Sequence, residues 1–233
     1  MRGAIAFLTP FGGAATPSPS SLGWFPFVGA GIGLTLGGVW WLADRLWAAP
    51  VAAAIVVAAD LACTGMLHFD GLVDSADGLL PPLNRNRRLE VMADPSAGAF
   101  GVGVAIVVLL LRWASLATLA PSPVLLGALW CASRLAMARF ARTGTYARPG
   151  GLATAFRGAG SRVLTAAGML LGAGLAAAGH GDAIVGVAVL GVAAAAVVGL
   201  AGRRIGGFTG DVLGAAGMVG ETAGLLLAAA RWR

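Results

Sequence analysis

Five of the chain's ten acidic residues lie between residues 70 and 94, and three of these are regularly spaced. Asp70, Asp74 and Asp77 follow one another at i, i+4 and i+7. On an α-helix this spacing places the three carboxylates within about 60° of one another on one face. Carboxylates this close repel one another unless a cation or a proton intervenes. The pattern predicts a site for Mg²⁺, with Mn²⁺ as the alternative, completed by substrate phosphates. A solvated helix end with scattered acids is the alternative interpretation.

His68 precedes this group and would lie on the opposite face of a continuous helix from Asp70. It could act as a general base or contact a substrate if the helix unwinds at Gly71. A lone histidine at a membrane border is also often a simple interfacial residue, so the sequence leaves both roles open.

Two further acids, Asp60 and Glu221, lie inside apolar runs. An acid within a membrane segment is a functional candidate because an unpaired charge there is costly. Pairing of Asp60 with Arg112 or Arg134 would explain it equally well.

Two other polar segments could hold an anion. The first, RRIGGFTGD, ends just before an apolar run, so its backbone N–H groups, the helix dipole and two arginines would face a bound phosphate. Its candidate substrate-binding residues are Arg203, Arg204, Gly206, Gly207, Thr209 and Gly210. The second is a basic Pro/Gly-rich loop with Arg148, preceded by Arg134 near the end of an apolar run. It would suit an anionic substrate or lipid head groups, although membrane topology alone explains it about as well.

The composition requires an apolar solvent around these segments. Of 233 residues, 58% are hydrophobic and 11% are charged, whereas soluble domains carry about 25% charged residues. The net charge of +6 comes from arginine alone, and the absence of lysine excludes Schiff-base chemistry and any phosphate loop that needs a lysine. The arginines flank apolar runs, which argues for topology signals and against nucleic-acid binding. Cys63 and Cys131 give no disulfide or metal pattern.

The predicted fold is an all-α polytopic transmembrane bundle of about seven spans, with six to eight as the range. The predicted spans are Phe25–Ala43, Ala48–Leu67, Val102–Leu119, Val124–Ala141, Val163–Ala178, Ala183–Ala201 and Val212–Ala230. The whole chain, 1–233, is predicted to be one integral membrane domain. An oligomer is compatible with the sequence, which gives no indication of its size.

Arginine counts predict the topology. Ten arginines fall on the side of the N-terminus and three on the other side. The positive-inside rule then places the N-terminus and the long loops in the cytoplasm. These predicted loops are about 68–101, 142–162 and 202–211, and residues 1–22 are predicted to be an interfacial segment.

Several motifs, in this order along the chain, resemble those of one family. GMLHFDGLVDSADG is similar to the signature DGLxDxxDG with its preceding histidine, and LEVMADPSAGAFG follows at the expected distance. RRIGGFTGDVLGAAGMVGE resembles a third signature, GGxTGDxLGA with a following glutamate. FPFVG, ASR and YARPGGL are weaker matches. The family is cobalamin (5′-phosphate) synthase, also called adenosylcobinamide-GDP ribazoletransferase.

The resemblance implies a Mg²⁺-dependent, multi-pass enzyme of the cytoplasmic membrane. Its substrates would be adenosylcobinamide-GDP and α-ribazole or α-ribazole 5′-phosphate, joined with release of GMP in vitamin B12 biosynthesis. Under this hypothesis Asp70, Asp74 and Asp77 hold metal, Asp211 completes the metal shell, and the Gly206–Gly210 turn holds nucleotide phosphates. His68 or Asp94 would take the proton of the attacking hydroxyl.

Two alternatives remain at this point. CDP-alcohol phosphotransferases also carry an acidic motif in membrane helices, but their motif has Ala-Arg after Asp-Gly, where this chain has Leu72-Val73. An ion or proton transporter could use Asp60, the aspartate group and Glu221 as a relay. A transporter predicts acids spread through the membrane depth, whereas most acids here gather on one side.

Overall fold

The fold is an all-helical bundle. A computed structural model describes residues 1–15, 18–148 and 161–230. The middle of the predicted 142–162 loop therefore lies outside the described residues. The helices are α1 Arg2–Leu8, α2 Phe25–Leu46, α3 Ala49–Cys63, α4 Leu67–Leu79, α5 Arg85–Val91, α6 Ala99–Thr118, α7 Pro123–Thr143, α8 Arg162–Ala178, α9 His180–Ile205 and α10 Gly210–Ala228.

Five of the described helices are long and apolar enough to cross a membrane. They are α6, α7, α9, α10 and α2 together with the turn before it. A sixth span arises if α3 and α4 are counted as one broken span, and α8 is a shorter apolar helix. The predicted polytopic all-α fold is confirmed, and six of the seven predicted spans coincide with single helices to within a few residues.

The second predicted span, Ala48–Leu67, is wrong at its C-terminal end. Helix α3 stops at Cys63, and α4 starts at Leu67 with a bend of 90°. Gly65 and Met66 at the bend have φ of 57° and 59°, a left-handed conformation that ends a helix. The chain therefore turns sharply four residues after Asp60, and α4, too short to cross a bilayer alone, takes a new direction.

Close backbone packing joins α2 to α7 in the core. Gly29, Gly33 and Gly37 are spaced by four residues on one face of α2. A Cβ atom at these positions would come within 2.2–2.4 Å of α7 backbone atoms. Small residues at this spacing allow membrane helices to approach closely, so the glycines fix the α2–α7 pair.

The polar loops meet at one end of the bundle. Phe208 N–H donates to the Thr145 carbonyl, and Ala147 N–H donates to the Phe208 carbonyl, each at 2.9 Å. The Arg85 guanidinium donates to the carbonyls of Ile205 and Ala147. These bonds join the segments after α4, α7 and α9, so the three motif-bearing segments form one surface.

Candidate active site

Helix α4 lies against the first turns of α10, where two of the sequence motifs come together. Gly71 packs so closely that a Cβ atom there would be 2.7 Å from the Asp211 carbonyl oxygen. Any side chain at this position would push the two helices apart. The contact brings the helix face that carries Asp70 and Asp74 next to Asp211.

The carboxylates of Asp70, Asp74 and Asp211 form a group that we call the rim cluster. Asp70 is exposed, and the other two are partly buried. Burial raises the pKa of Asp74 to about 7, and the carboxylates of Asp70 and Asp211 add to the effect. Among the described residues no arginine forms an ion pair with these three groups. The rim cluster therefore carries negative charge that the described part of the chain leaves largely uncompensated.

Asp77 lies in a different environment from Asp70 and Asp74. Its carboxylate accepts hydrogen bonds from Gly98 N–H at 2.7 Å and Gly101 N–H at 2.8 Å, and the side chain is buried. These amides belong to the start of α6, where free N–H groups and the helix dipole favour a negative charge. The structure places Asp77 at the junction of α4 and α6, and its role as a metal ligand alongside Asp70 and Asp74 stays a prediction.

The two candidate bases lie in contrasting environments. His68 is buried, and among the described residues neither imidazole nitrogen has a hydrogen-bond partner. It packs beside Gly214 on α10, three residues beyond Asp211 in that helix. Helix α4 continues through Gly71, so the unwinding that would expose His68 is not seen in this structure.

Asp94 lies at the surface. Its carboxylate accepts a hydrogen bond from Ser96 N–H at 2.9 Å, and this bond lowers the pKa of Asp94. Asp94 and Asp77 line a crevice of about 310 Å³ together with Phe100. A carboxylate with a lowered pKa is a weak base, although its position beside a crevice keeps it within reach of a bound molecule.

The glycine-rich turn before α10 is held by its own residues. Gly206 ends α9 with a φ of 77°, and Gly207 packs against the Thr145 carbonyl. The Thr209 hydroxyl is buried, accepts from Val212 N–H and donates to the Asp211 carboxylate. Thr209 thus caps α10 and orients Asp211, whereas Gly210 is exposed at the start of the helix.

The arginines predicted to bind substrate separate into two groups. Arg203 and Arg204 are exposed in the last turn of α9, and Arg148 donates to the Leu89 carbonyl while its charge lowers the pKa of Asp74. These three lie at the loop end of the bundle. Arg134 is almost completely buried within α7. It lies inside the bundle, as its position within a predicted span implies, and its role in substrate binding stays a prediction.

Arg134 belongs to a group of four buried charges that we call the buried network. Arg112 donates to Asp60 and to Glu221, both at 2.5 Å, and Arg134 pairs with the second oxygen of Glu221. Trp130 Nε1 donates to Asp60 at 2.9 Å. Two acids and two arginines from four helices thus neutralise one another. Along α10, Glu221 lies about 15 Å from Asp211, so the network is separate from the rim cluster.

Sequence reasoning did not identify two arginine contacts. Arg88 is buried and donates to the carbonyls of Gly78 and Leu79, at the C-terminus of α4. Arg85 ties the start of α5 to the end of α9. The signal for Arg88 was the absence of a glycine cap directly after α4, since carbonyls at a helix end need another donor. That signal does not name the donor. No such signal existed for Arg85, because Gly206 caps the end of α9.

The donor set is compatible with a hard divalent cation. Among the described residues no group of three His, Cys, Asp or Glu side chains is arranged to enclose a metal ion by itself. Mg²⁺ usually takes one or two carboxylates and completes its shell with water and phosphate oxygens. The partly exposed carboxylates of the rim cluster meet this requirement, and they would need a substrate phosphate to finish the site.

Comparison with known proteins gives one consistent result. The family model described as cobalamin-5-phosphate synthase matches residues 1–229. A protein of Bradyrhizobium diazoefficiens named adenosylcobinamide-GDP ribazoletransferase is 41% identical over 212 residues, covering 88% of this chain and 81% of its own. One from Chlorobium phaeovibrioides with the same name is 36% identical over 234 residues, covering 94% and 92%.

No solved structure gives a significant match to the chain. The family match extends over both sides of the rim cluster, from the aspartates of α4 to the glycine-rich turn before α10. The identity with both relatives extends over most of the chain. This chain therefore belongs to the cobalamin-5-phosphate synthase family.

Proposed function

We propose that the protein is an adenosylcobinamide-GDP ribazoletransferase. It transfers the cobinamide phosphate of adenosylcobinamide-GDP to a hydroxyl of α-ribazole, or of α-ribazole 5′-phosphate, and releases GMP. In this reaction a new P–O bond forms to the ribazole oxygen, the P–O bond to GMP breaks, and the hydroxyl proton is lost. Family membership supports this activity above the CDP-alcohol phosphotransferase and transporter alternatives.

The rim cluster is the observation that carries the site assignment. Phosphoryl transfer needs a diphosphate held in line and its charge neutralised, with little covalent chemistry by the protein. Uncompensated carboxylates beside an exposed helix start can hold a cation against such a diphosphate. Bound Mg²⁺ would supply charge stabilisation for the transferring phosphoryl group and for departing GMP.

Each residue of the surface then has a task in the proposal. Asp70, Asp74 and Asp211 hold the cation, and Thr209 fixes Asp211. Arg203, Arg204 and Arg148 lie nearby to attract the phosphates of the nucleotide. The backbone at Gly206 and Gly210 leaves room for close approach, whereas Gly207 packs against the Thr145 carbonyl and shapes the turn. Asp77 positions the helix that carries Asp70 and Asp74.

The proton of the attacking hydroxyl needs an acceptor at the surface. Asp94 is exposed beside the crevice, whereas His68 on α4 is buried against α10. Asp94 is therefore the stronger candidate in this arrangement, with solvent as the final acceptor. The pH–rate profile of His68→Ala compared with that of Asp94→Asn decides between the two.

The location of the reaction follows from the same proposal. The apolar helices make the chain a multi-pass membrane protein. The arginine excess on the loop side supports an inner-membrane location with the rim cluster facing the cytoplasm. A soluble substrate would then reach the site directly, without crossing the bilayer.

The activity test uses membranes that contain the full chain. GMP release from adenosylcobinamide-GDP is measured with and without α-ribazole and Mg²⁺. We expect release to require both, and Asp74→Asn to lower it by about 10²–10³-fold while the protein remains inserted. Asp44→Asn, an exposed aspartate at the far end of α2, is the matched control.

Two results would count against the proposal. GMP release by wild-type protein that is independent of α-ribazole would remove the transferase assignment. Full activity of Asp74→Asn would leave the transferase assignment intact and remove the rim cluster as its site.

A further inference from the structure

A groove runs along the side of the bundle away from the rim cluster. It lies between α2, α7, α8 and α9, has a volume of about 480 Å³, and is lined mainly by apolar side chains such as Leu135, Met169, Val187 and Leu190. This volume is within the range of pockets that bind small-molecule ligands, about 300–1,000 Å³. None of the lining residues comes from α4 or α10, so the groove is distinct from the site proposed above.

The surface around the groove is suited to hydrocarbon. Leu170 on α8 is 76% exposed and Val192 on α9 is 73% exposed, and Val163 and Ile184 are also exposed. Contiguous exposed apolar surface on a membrane protein faces lipid chains. The groove therefore opens toward the lipid, and acyl chains are the molecules that reach it.

The loop end of the groove is positively charged. Arg139 and Arg142 line it there, near the C-terminus of α7. Arg142 Nη1 donates to the Thr165 hydroxyl at 2.5 Å, but its Nε and Nη2 are shielded from solvent and have no partner among the described residues. A guanidinium N–H that is shielded and unpaired is costly, so an anionic acceptor at this point would stabilise the arrangement.

We propose that this groove binds a phospholipid with an anionic head group. The phosphate lies beside the Arg142 guanidinium, whose shielded N–H groups turn toward it on binding, and Arg139 adds positive charge. One acyl chain lies along the apolar lining toward Leu190. The combination of an apolar channel with a basic end matches the two parts of a phospholipid, and neither part alone would explain both features.

The first test measures the charged end. Purified full-length protein is titrated with phosphatidylglycerol, and the bound fraction is followed by native mass spectrometry. We expect Arg142→Gln to weaken binding of one phosphatidylglycerol about tenfold, as the loss of a charged hydrogen bond implies. Arg162→Gln removes the same charge from an exposed position that does not line the groove, and we expect it to leave binding unchanged.

The second test measures the apolar channel without changing charge. Gly191 lines the groove and Gly199 lies two turns further along the same helix, and a side chain would meet open space at either position. Gly191→Leu should fill the channel and weaken phosphatidylglycerol binding, whereas Gly199→Leu should not. This pair keeps the test valid if Arg142→Gln fails to fold.

Five outcomes would overturn the proposal. Equal effects of the two arginine variants would mean non-specific attraction, and equal effects of the two glycine variants would mean that no chain occupies the channel. Displacement of the lipid by α-ribazole would assign the groove to a substrate. Binding of phosphatidylcholine as tight as that of phosphatidylglycerol would show that the site does not select an anionic lipid. Binding of inorganic phosphate alone would show that no acyl chain is required.

Discussion

The rim cluster and the buried network both contain acidic side chains within a largely apolar chain, but they differ in how the negative charge is balanced. In the buried network, Asp60 and Glu221 are matched one for one by Arg112 and Arg134. In the rim cluster, three carboxylates lie together with no ion-pair partner in the described part of the chain. Acids that the protein neutralises itself hold helices together, whereas acids left uncompensated indicate a cation or ligand from outside.

The largest loss of stability should come from Glu221→Gln. Removal of this acid leaves Arg134 buried without its counter-charge and Arg112 with one partner fewer. Loss of one member of a buried pair costs about 3–5 kcal/mol. The expected result is a large fall in the unfolding midpoint of the detergent-solubilised protein, before any effect on catalysis is considered.

A double variant sharpens this prediction. Glu221→Gln with Arg134→Met restores equal numbers of opposite charges and leaves the Asp60–Arg112 pair in place. We expect it to be less destabilised than Glu221→Gln alone. If the double variant loses as much stability as the single variant, the balance of buried charges does not explain how the buried network stabilises the protein.

An intermediate effect should follow from Asp77→Asn, because Asp77 is buried but is hydrogen-bonded to backbone amides and has no ion-pair partner among the described residues. Loss of the carboxylate weakens the hydrogen bonds from Gly98 and Gly101, and we expect a destabilisation of about 1–3 kcal/mol. Turnover should fall because α4 is held less firmly, while the Mg²⁺ concentration that gives half-maximal GMP release stays the same. Asp70→Asn is the comparison, since the loss of a metal ligand should raise the Mg²⁺ concentration that gives half-maximal GMP release. An Asp77→Asn variant with normal stability and a raised Mg²⁺ requirement would support Asp77 as a metal ligand.

The smallest effect should come from an ion pair outside both regions. Arg87 and Glu90 pair at 2.9 Å, with side chains 61% and 62% exposed. Exposed pairs contribute little because water screens them, so Glu90→Gln should change the unfolding free energy by at most about 0.5 kcal/mol. A loss of unfolding free energy as large as that of Glu221→Gln would show that burial does not determine how much an ion pair contributes to stability.

Much of the fold follows from the sequence because hydropathy sets it. Runs of apolar residues predict six helices well, and the spacing of Asp70 and Asp74 correctly assumes a helix at that point. The bend at Gly65 and Met66 was missed, since an apolar run continues across it and only backbone geometry stops the helix. The roles proposed for Asp70, Asp74 and Asp211 stay predictions, because no ligand defines them here.

The sequence could not separate Asp77 from its neighbours or Arg134 from the surface arginines. The environment of each residue depends on which residues from distant parts of the sequence contact it in the folded protein. Asp77 meets the amides of Gly98 and Gly101, and Arg134 meets Glu221. Residue type and spacing give the same pattern whether such a partner exists or not, so the distinction appears only in three dimensions.

Helix α10 follows all the other described helices in the sequence, and this sets an order for assembly. It supplies Glu221 to the buried network and Asp211 to the rim cluster, and Gly71 makes backbone contact with it. While α10 is still being synthesised, Arg134 lacks its counter-charge and α4 lacks the surface on which it packs. A newly inserted chain therefore completes the buried network and the proposed diphosphate site together, when α10 packs against the other helices.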